Sequence, residues 1–359
     1  MPNVIEWSVF IFTVITIPLY ILLLSVIRET NEKRSSASFY LICEIVGYID
    51  VVCLLNTYLT YQFAKWGWFA DFYLSTGSTL LRIGFFISWA SGVSQVHSTI
   101  LLALNRFTAI VFVHKHDLYW RRSSRIWIYL FILLPSILMG SATLLSPVEY
   151  QQTESGGLIQ KLQNKFLTHV YFGFVGALMV IYSTIIVFQY SMILYSLHKH
   201  QSKKTTTVAI TTAYVNRATV QRKREHRLLL MSLLVCSLQL IVTTYIITKF
   251  VLGSAFDSEL NLYNFLDTLY SAINPYLLFA FSDLLRKRMI RRAFCCLRYF
   301  LRVHQRPLSP AAALSAKTFP YNKKERYCNV NIIDLHELAI IKSLNKSVVK
   351  NTQLQSETM

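Results

Sequence analysis

The chain has 359 residues, of which 53% are hydrophobic and 15% charged, with a mean hydropathy of +0.40 and 36 Lys+Arg against 18 Asp+Glu. Soluble domains carry about 25% charged residues, so this chain has too few to cover a water-facing surface. The formal net charge of +18 does not signal nucleic-acid binding, because the basic residues lie between and after long apolar runs, where they face anionic lipid headgroups.

A membrane-spanning helix needs roughly 20 mostly apolar residues. Trp7–Ile27 is the first such run, uncharged and with an expected kink at Pro18. Met1–Glu6 lacks a basic stretch, so the run is expected to act as an uncleaved signal-anchor. Ser38–Gln62 is the second, interrupted only by Glu44 and Asp50. The third extends from Thr79 to Ile110 and closes in Asn105-Arg106-Phe107. Ile126–Ser146 and Val170–Leu197 are free of charge; Leu228–Thr248 is the sixth run and Tyr263–Phe281, with Asp267, the seventh. The predicted fold class is all-α, a seven-transmembrane helix bundle.

Lysine and arginine set the orientation. Arg28, Lys33 and Arg34 follow the first run, and Lys115, Arg121, Arg122 and Arg125 the third. Lys199, Lys203, Lys204, Arg217, Arg222, Lys223, Arg224 and Arg227 follow the fifth, and Arg286, Lys287, Arg288, Arg291 and Arg292 the seventh. The alternate connections are poor in these, with Lys65 in one, Lys161 and Lys165 in another and none between Gly253 and Leu262. The amino terminus is therefore expected outside the cell and the basic loops in the cytoplasm. Ser282–Arg302 has the pattern of a basic amphipathic helix lying on the inner face, with Phe281, Leu284, Leu285, Met289, Phe294, Leu297 and Phe300 on one side. Cys295 and Cys296 within it are candidate palmitoylation sites. Residues 1–302 form the expected membrane domain, and residues 303–359, rich in Lys, Asn and Ser, the expected disordered tail. The six cysteines show neither metal-ligand spacing nor an extracellular pair. No cofactor motif, nucleophile–base pair or phosphate loop is evident, so an enzyme is not expected.

Charges inside spanning helices are costly and mark function by default. Asp50 falls near mid-membrane and is expected in an interior polar network, whereas Glu44 lies closer to the cytoplasm. Their separation of six places them on different helix faces, so they are not an acid/base couple. Arg106 at the cytoplasmic end of the third run is either an interfacial anchor or a functional residue. Asn274-Pro275-Tyr276 ends the seventh: the proline frees a backbone carbonyl, and the asparagine can bond that carbonyl or a neighbouring helix.

With seven spans in this orientation, Asn105-Arg106-Phe107 and Asn274-Pro275-Tyr276 resemble the acidic-Arg-aromatic triplet and the Asn-Pro-x-x-Tyr motif of rhodopsin-like G-protein-coupled receptors, and Asp50 matches the acidic residue of that family's second helix. More narrowly, Ser38-Phe39-Tyr40, Lys65-Trp66-Gly67-Trp68 and the Asn-Arg-Phe-Thr-Ala stretch resemble nematode serpentine chemoreceptors of the gamma superfamily, V class or gamma class, over roughly residues 5 to 300. The sequence departs from the broader pattern in several places. Asn105 replaces the acid, Leu278 occupies the place of the tyrosine, the sixth run lacks Trp-x-Pro, and no cysteine is available for the extracellular disulfide.

The resemblance implies a chemosensory receptor in the plasma membrane, in sensory cilia, binding a small-molecule or peptide ligand and activating a heterotrimeric G protein. Asn105, Arg106, Phe107, Asn274, Pro275 and Tyr276, flanked by Arg222, Lys223, Arg224 and Arg227, would carry coupling. Phe85, Phe86, Trp89, Tyr171, Phe174, Tyr245, Asp267 and Tyr270, in the outer halves of the helices, would line the ligand site. Asp267 is expected to pair with a cationic ligand, with Lys249 or with Arg82. A light-driven retinal protein is disfavoured because Tyr263–Phe281 contains no lysine. A ligand-gated channel subunit or transporter is the alternative; insect-type odorant channels place the amino terminus on the opposite side, and no repeat of the transporter kind is visible.

Overall fold

The computed structural model describes residues 2–33, 38–112, 115–120, 125–145, 147–153, 156–162, 165–204, 212–252 and 260–304. Contacts divide the chain into two units, Met1–Ile290 and Arg291–Met359. Within the second, only the continuation of the last helix to His304 is described, so the expected tail lies outside the described residues.

Helix α1 is Val4–Lys33, opened by a reciprocal cap in which Glu6 N–H donates to Asn3 Oδ1 at 2.8 Å and Asn3 N–H to Glu6 Oε2 at 2.9 Å. It runs unbroken through Pro18. Helix α2, Ser38–Asn56, passes directly into a π-helical turn, Thr57–Gln62, and then the short α3, Phe63–Lys65. α4 is Ala70–Thr76, and α5, Ser78–Val111, is the helix that touches α2, α7, α8 and α9. The short α6 is His116–Tyr119, and α7 is Arg125–Ser141, extended by a 3-10 turn to Leu145.

Beside the all-α bundle expected from the sequence, the connection after α7 forms an antiparallel hairpin, β1 (Val148–Gln152) and β2 (Leu158–Leu162), with Val148 opposite Leu162 and Gln152 opposite Leu158. α8 is Lys165–Lys204, α9 Thr212–Leu252, α10 Leu260–Phe281 and α11 Asp283–His304. At 1.5 Å per residue α8 and α9 are each about 60 Å long, twice the hydrocarbon thickness. Most of the basic stretch between the fifth and sixth spans is therefore helical extension. The bundle has a basic end, where these extensions, α6 and the start of α11 lie, and a hairpin end.

By length and composition Val4–Asn31, Ser38–Lys65, Arg125–Leu145, Gly173–Ser196 and Arg227–Thr248 could each cross a membrane. α5 and α10 complete the seven spans of the bundle. They are less apolar because they bury Ser94, Gln95, His97, Ser98, Thr99, Thr268, Ser271 and Asn274 among their neighbours. One apolar core joins α1, α2, α7 and α10 with the inner face of α11, where Leu285 and Met289 are buried; a second fills the space between α5, α8 and α9.

Small residues allow the close crossings that hold helices together in lipid. A Cβ on Gly84 of α5 would stand 2.7–2.9 Å from three side-chain atoms of Thr60, which is pinned by its own 2.5 Å hydrogen bond to Asn56 O. At the hairpin end, a Cβ on Gly157 would meet Lys65 O at 2.2 Å, and one on Gly67, whose φ is +75°, would meet Gly156 O at 2.9 Å. The tip of the hairpin is thus interlocked with the Lys65–Trp68 loop. Gly157→Ala is expected to destabilise the protein by about 1–3 kcal/mol, the usual range for overpacking. Gly92→Ala, with nothing within 4 Å of its Cβ, is expected to leave it unchanged or slightly more stable. Thermal unfolding of the two variants in lipid nanodiscs checks the pair.

Candidate functional site

Asp50 is fully buried in α2 and accepts hydrogen bonds from three other helices. Gln95 Nε2 of α5 donates to Oδ1 at 2.7 Å, and Asn274 Nδ2 of α10 to Oδ2 at 2.8 Å. The Tyr20 hydroxyl of α1 lies 2.7 Å from the same Oδ2 and 2.6 Å from Ser271 O, so one proton is shared between two acceptors. Ser271 Oγ completes the cluster by accepting from Gln95 Nε2 at 2.9 Å.

The second of these acceptors explains the proline. In a regular helix the N–H of residue 275 would bond the carbonyl of residue 271; Pro275 has no N–H, and the freed Ser271 carbonyl is taken up by Tyr20. Asn274 bonds the neighbouring helix, not the freed carbonyl. Sequence reasoning reached Asp50, Asn274 and Pro275 but missed Tyr20, Gln95 and Ser271. The available signal was a polar side chain at the mid-depth of three apolar runs.

Glu44, one and a half turns away, accepts from Asn31 Nδ2 at 2.6 Å and takes no part in the Asp50 cluster. Tyr276 points to α1: its ring stacks on Phe12 at 5.4 Å and its hydroxyl lies 2.9 Å from Thr16 Oγ1. Leu278, in the place of the expected tyrosine, is buried in the apolar core.

At the basic end Arg106 is 4% exposed, with its guanidinium carbon 4.0 Å from the centre of the Phe39 ring. Asn105 Nδ2 donates to Ser38 Oγ at 2.7 Å, so the asparagine that replaces the acid ties α5 to the start of α2. Phe107 packs edge-on against Phe112. Nearby, Arg227 of α9 pairs with Asp283 at 2.5 Å and Arg286 pairs with the same carboxylate, while Arg288 donates to Thr30 Oγ1 at 2.7 Å. The side chains of Arg222, Lys223 and Arg224 lie outside the described residues, as does that of Cys296; Cys295 is exposed.

Toward the hairpin end, Asp267 of α10 lies two turns from Asn274, on the same face, and accepts from the Cys53 thiol at 3.7 Å. Tyr270 bonds Thr99 at 3.0 Å, and Phe85 packs edge-on against Tyr61 at 5.8 Å. Asn56 Nδ2 links α2 to α5 through Ser88 Oγ at 2.8 Å and Gly84 O at 3.0 Å. The expected ligand residues do not all converge. Phe174 is 55% exposed on the outer surface of α8, where an apolar ring meets lipid, and Phe86 lies against Gly140 of α7. Trp89 borders the α5–α8–α9 core, Tyr245 is half-buried on α9, and the side chains of Tyr171 and Lys249 lie outside the described residues. Arg82 forms no ion pair with Asp267 among the described residues.

The hairpin closes this end without a disulfide. Tyr150 Oη and Gln160 Nε2 both donate to Thr60 O, at 3.0 and 3.1 Å, and the Tyr73 hydroxyl donates to Leu59 O at 2.5 Å. These are carbonyls of the π-helical turn. Burial pushes the Tyr150 phenol up, so its proton stays available for the bond. Lys65 Nζ pairs with Glu6 Oε1 at 2.5 Å, and the Trp7 and Trp66 rings stack at 5.8 Å, drawing α1 into the same closure.

A seven-helix membrane bundle with an Asn-Pro element docked on a buried acid, and an arginine enclosed at the end of its central helix, has the plan of a membrane receptor. The sequence matches the family described as serpentine type 7TM GPCR chemoreceptor Srv over residues 9–295, and the chain belongs to that family. A comparison with curated proteins gave no significant match.

Tyr20→Phe removes the donor to both Ser271 O and Asp50 and is expected to cost about 1–3 kcal/mol, the penalty of a buried acceptor left unmade. Restoring a backbone N–H with Pro275→Ala satisfies Ser271 O locally, so Tyr20→Phe is expected to cost less in that background. A double-mutant cycle by thermal unfolding measures the coupling.

Proposed function

We propose that the protein is a chemosensory receptor of the plasma membrane that binds a small ligand near its hairpin end and activates a heterotrimeric G protein at its basic end. The observation that carries this reading is the enclosure of Arg106 under Phe39 at the end of α5, on the same helix that supplies Gln95 to the Asp50 cluster. The alternation of Lys and Arg between connections supports an outward hairpin end and a cytoplasmic basic end. Ligand would seat among Phe85, Trp89, Tyr245, Asp267 and Tyr270.

In the closed arrangement Arg106 is inaccessible to a partner. An agonist with higher affinity for an open arrangement shifts the equilibrium by that difference and no more. Opening separates the basic ends of α5, α8 and α9, releases Arg106 from Phe39 and presents it, with Asn105, Phe107 and the basic stretch that holds Arg222, Lys223, Arg224 and Arg227, to the carboxyl-terminal helix of the G protein. With an asparagine at position 105, no acid adjacent in sequence holds the arginine. The Arg227–Asp283 pair, between α9 and the start of α11, serves as the restraint in its place. Cys295 and Cys296 are the candidate acylation sites on α11.

Arg106→Ala is expected to abolish ligand-dependent nucleotide exchange on the G protein while surface expression is retained; exchange at wild-type level would overturn the reading. Asp283→Ala is expected to raise basal exchange ~2- to 5-fold, the factor available from an exposed ion pair worth up to about 1 kcal/mol. Exchange assays on membranes from cells matched for surface receptor measure both.

A further inference from the structure

The bundle interior holds two carboxylates in one column, and they are provided for differently. Asp50 receives three strong donors from three helices. Asp267, two turns nearer the hairpin end, is only partly buried, and among the described residues its one hydrogen bond is a 3.7 Å contact from the Cys53 thiol, a weak donor. An ionised carboxylate can accept about four hydrogen bonds, and one held at this depth without them is expensive. The natural complement is a positive charge, and among the described residues no lysine or arginine pairs with Asp267.

The surroundings of Asp267 suit a small organic cation. Tyr270 stands one helical turn from Asp267 on the same side of α10, and Phe85 packs edge-on against Tyr61 at 5.8 Å in the same part of the bundle. Aromatic faces attract ammonium groups and shed water from their alkyl portions. The hydroxyls of Ser88 and Ser91 bond Tyr61 and Cys53, so this part of the bundle also holds polar groups on α5.

We infer that Asp267 is the charge-recognition point of the ligand site and that the ligand is a protonated or quaternary amine, its cation on Asp267 and its apolar part among Tyr61, Phe85 and Tyr270. This rests on the proposed ligand site near the hairpin end and gives it a chemical class. The position also provides a route to the rest of the bundle. Asp267, Tyr270, Ser271 and Asn274 share one face of α10, so a cation drawn to Asp267 bears on the helix that carries the Tyr20–Ser271 and Asn274–Asp50 bonds.

The test uses the full-length receptor in nanodiscs with three matched probe series: primary alkylamines from ethyl to octyl, the corresponding alkyltrimethylammonium ions, and alkanols of the same lengths. A ligand that binds only the folded state raises Tm, by an amount that grows with the logarithm of 1 + [L]/Kd. At least one cationic probe is expected to raise Tm where the alkanol of the same length does not. Asp267→Asn is expected to weaken its binding by about tenfold or more, as for a close charge pair losing one partner, with Asp267→Glu retaining most of the affinity. Amine binding is expected to fall as pH passes the amine's own pKa, while trimethylammonium binding does not. This comparison needs no variant and holds even if Asp267→Asn fails to fold. Equal effects of amines and alkanols, no shift from any cationic probe, or full affinity in a folded Asp267→Asn would each overturn the inference. Amine binding without G-protein nucleotide exchange would instead overturn the proposed function and leave this inference standing. Exchange driven by a neutral ligand and indifferent to Asp267→Asn would do the reverse.

Discussion

A carboxylate at the mid-depth of a membrane bundle must be surrounded by donors or expelled, and the structure is organised around meeting that demand at Asp50. The donors come from α1, α5 and α10, so satisfying one side chain fixes the mutual depth and rotation of four helices. The same cluster absorbs the defect introduced by Pro275. A helix interrupted by proline exposes a carbonyl that lipid cannot satisfy, and here Tyr20 supplies the missing donor from another helix. The cost of the break in α10 and part of the cost of the buried acid are therefore met by one set of contacts.

The two ends of the bundle are held by different physics. The hairpin end lacks a covalent staple and relies on geometry: Tyr73, Tyr150 and Gln160 converge on Leu59 O and Thr60 O of the π-helical turn. Glycine contacts between the Lys65–Trp68 loop and the hairpin turn leave no room for a side chain between them. The stacked tryptophans and the Glu6–Lys65 pair anchor α1 to this end. Such a closure is dense and directional. At the basic end the contacts include the buried Arg106–Phe39 cation–π contact, the buried Asn105–Ser38 hydrogen bond and the half-exposed Arg227–Asp283 pair, of which the last is of a kind worth about 1 kcal/mol or less. The half-exposed pair lies where the proposed coupling surface is.

The departures from the rhodopsin-like pattern have structural counterparts. The asparagine at 105 is a tie to Ser38 in place of a counter-ion, and the leucine at 278 is a packing residue in the core shared with α1 and α2. Tyr276, displaced from the usual position, faces α1 and binds Thr16 and Phe12. These side chains put into one-to-one helix contacts what the broader pattern places in interior networks, leaving Asp50 as the main polar hub among the described residues.

The architecture was legible in the sequence because a bilayer leaves a chain few choices. Apolar runs of spanning length must be helices, and the alternation of basic connections states their expected orientation, so the seven spans and the importance of Asp50, Asn274 and Pro275 followed from composition and spacing. What the sequence could not state was which polar groups meet. Tyr20, Gln95 and Ser271 are separated by tens to hundreds of residues and converge only when α1, α5 and α10 take their relative rotations. The hairpin at 148–162 was hidden for a related reason: its pairing is stabilised by the carbonyls of a distant π-helical turn, not by a strong local strand signal. Likewise the sequence offered Phe85, Phe86 and Phe174 as equals, and only packing separated the ring beside Tyr61 from the one against α7 and the one facing lipid. Local chemistry and the solvent determined which segments span; long-range side-chain geometry decided what they do once together.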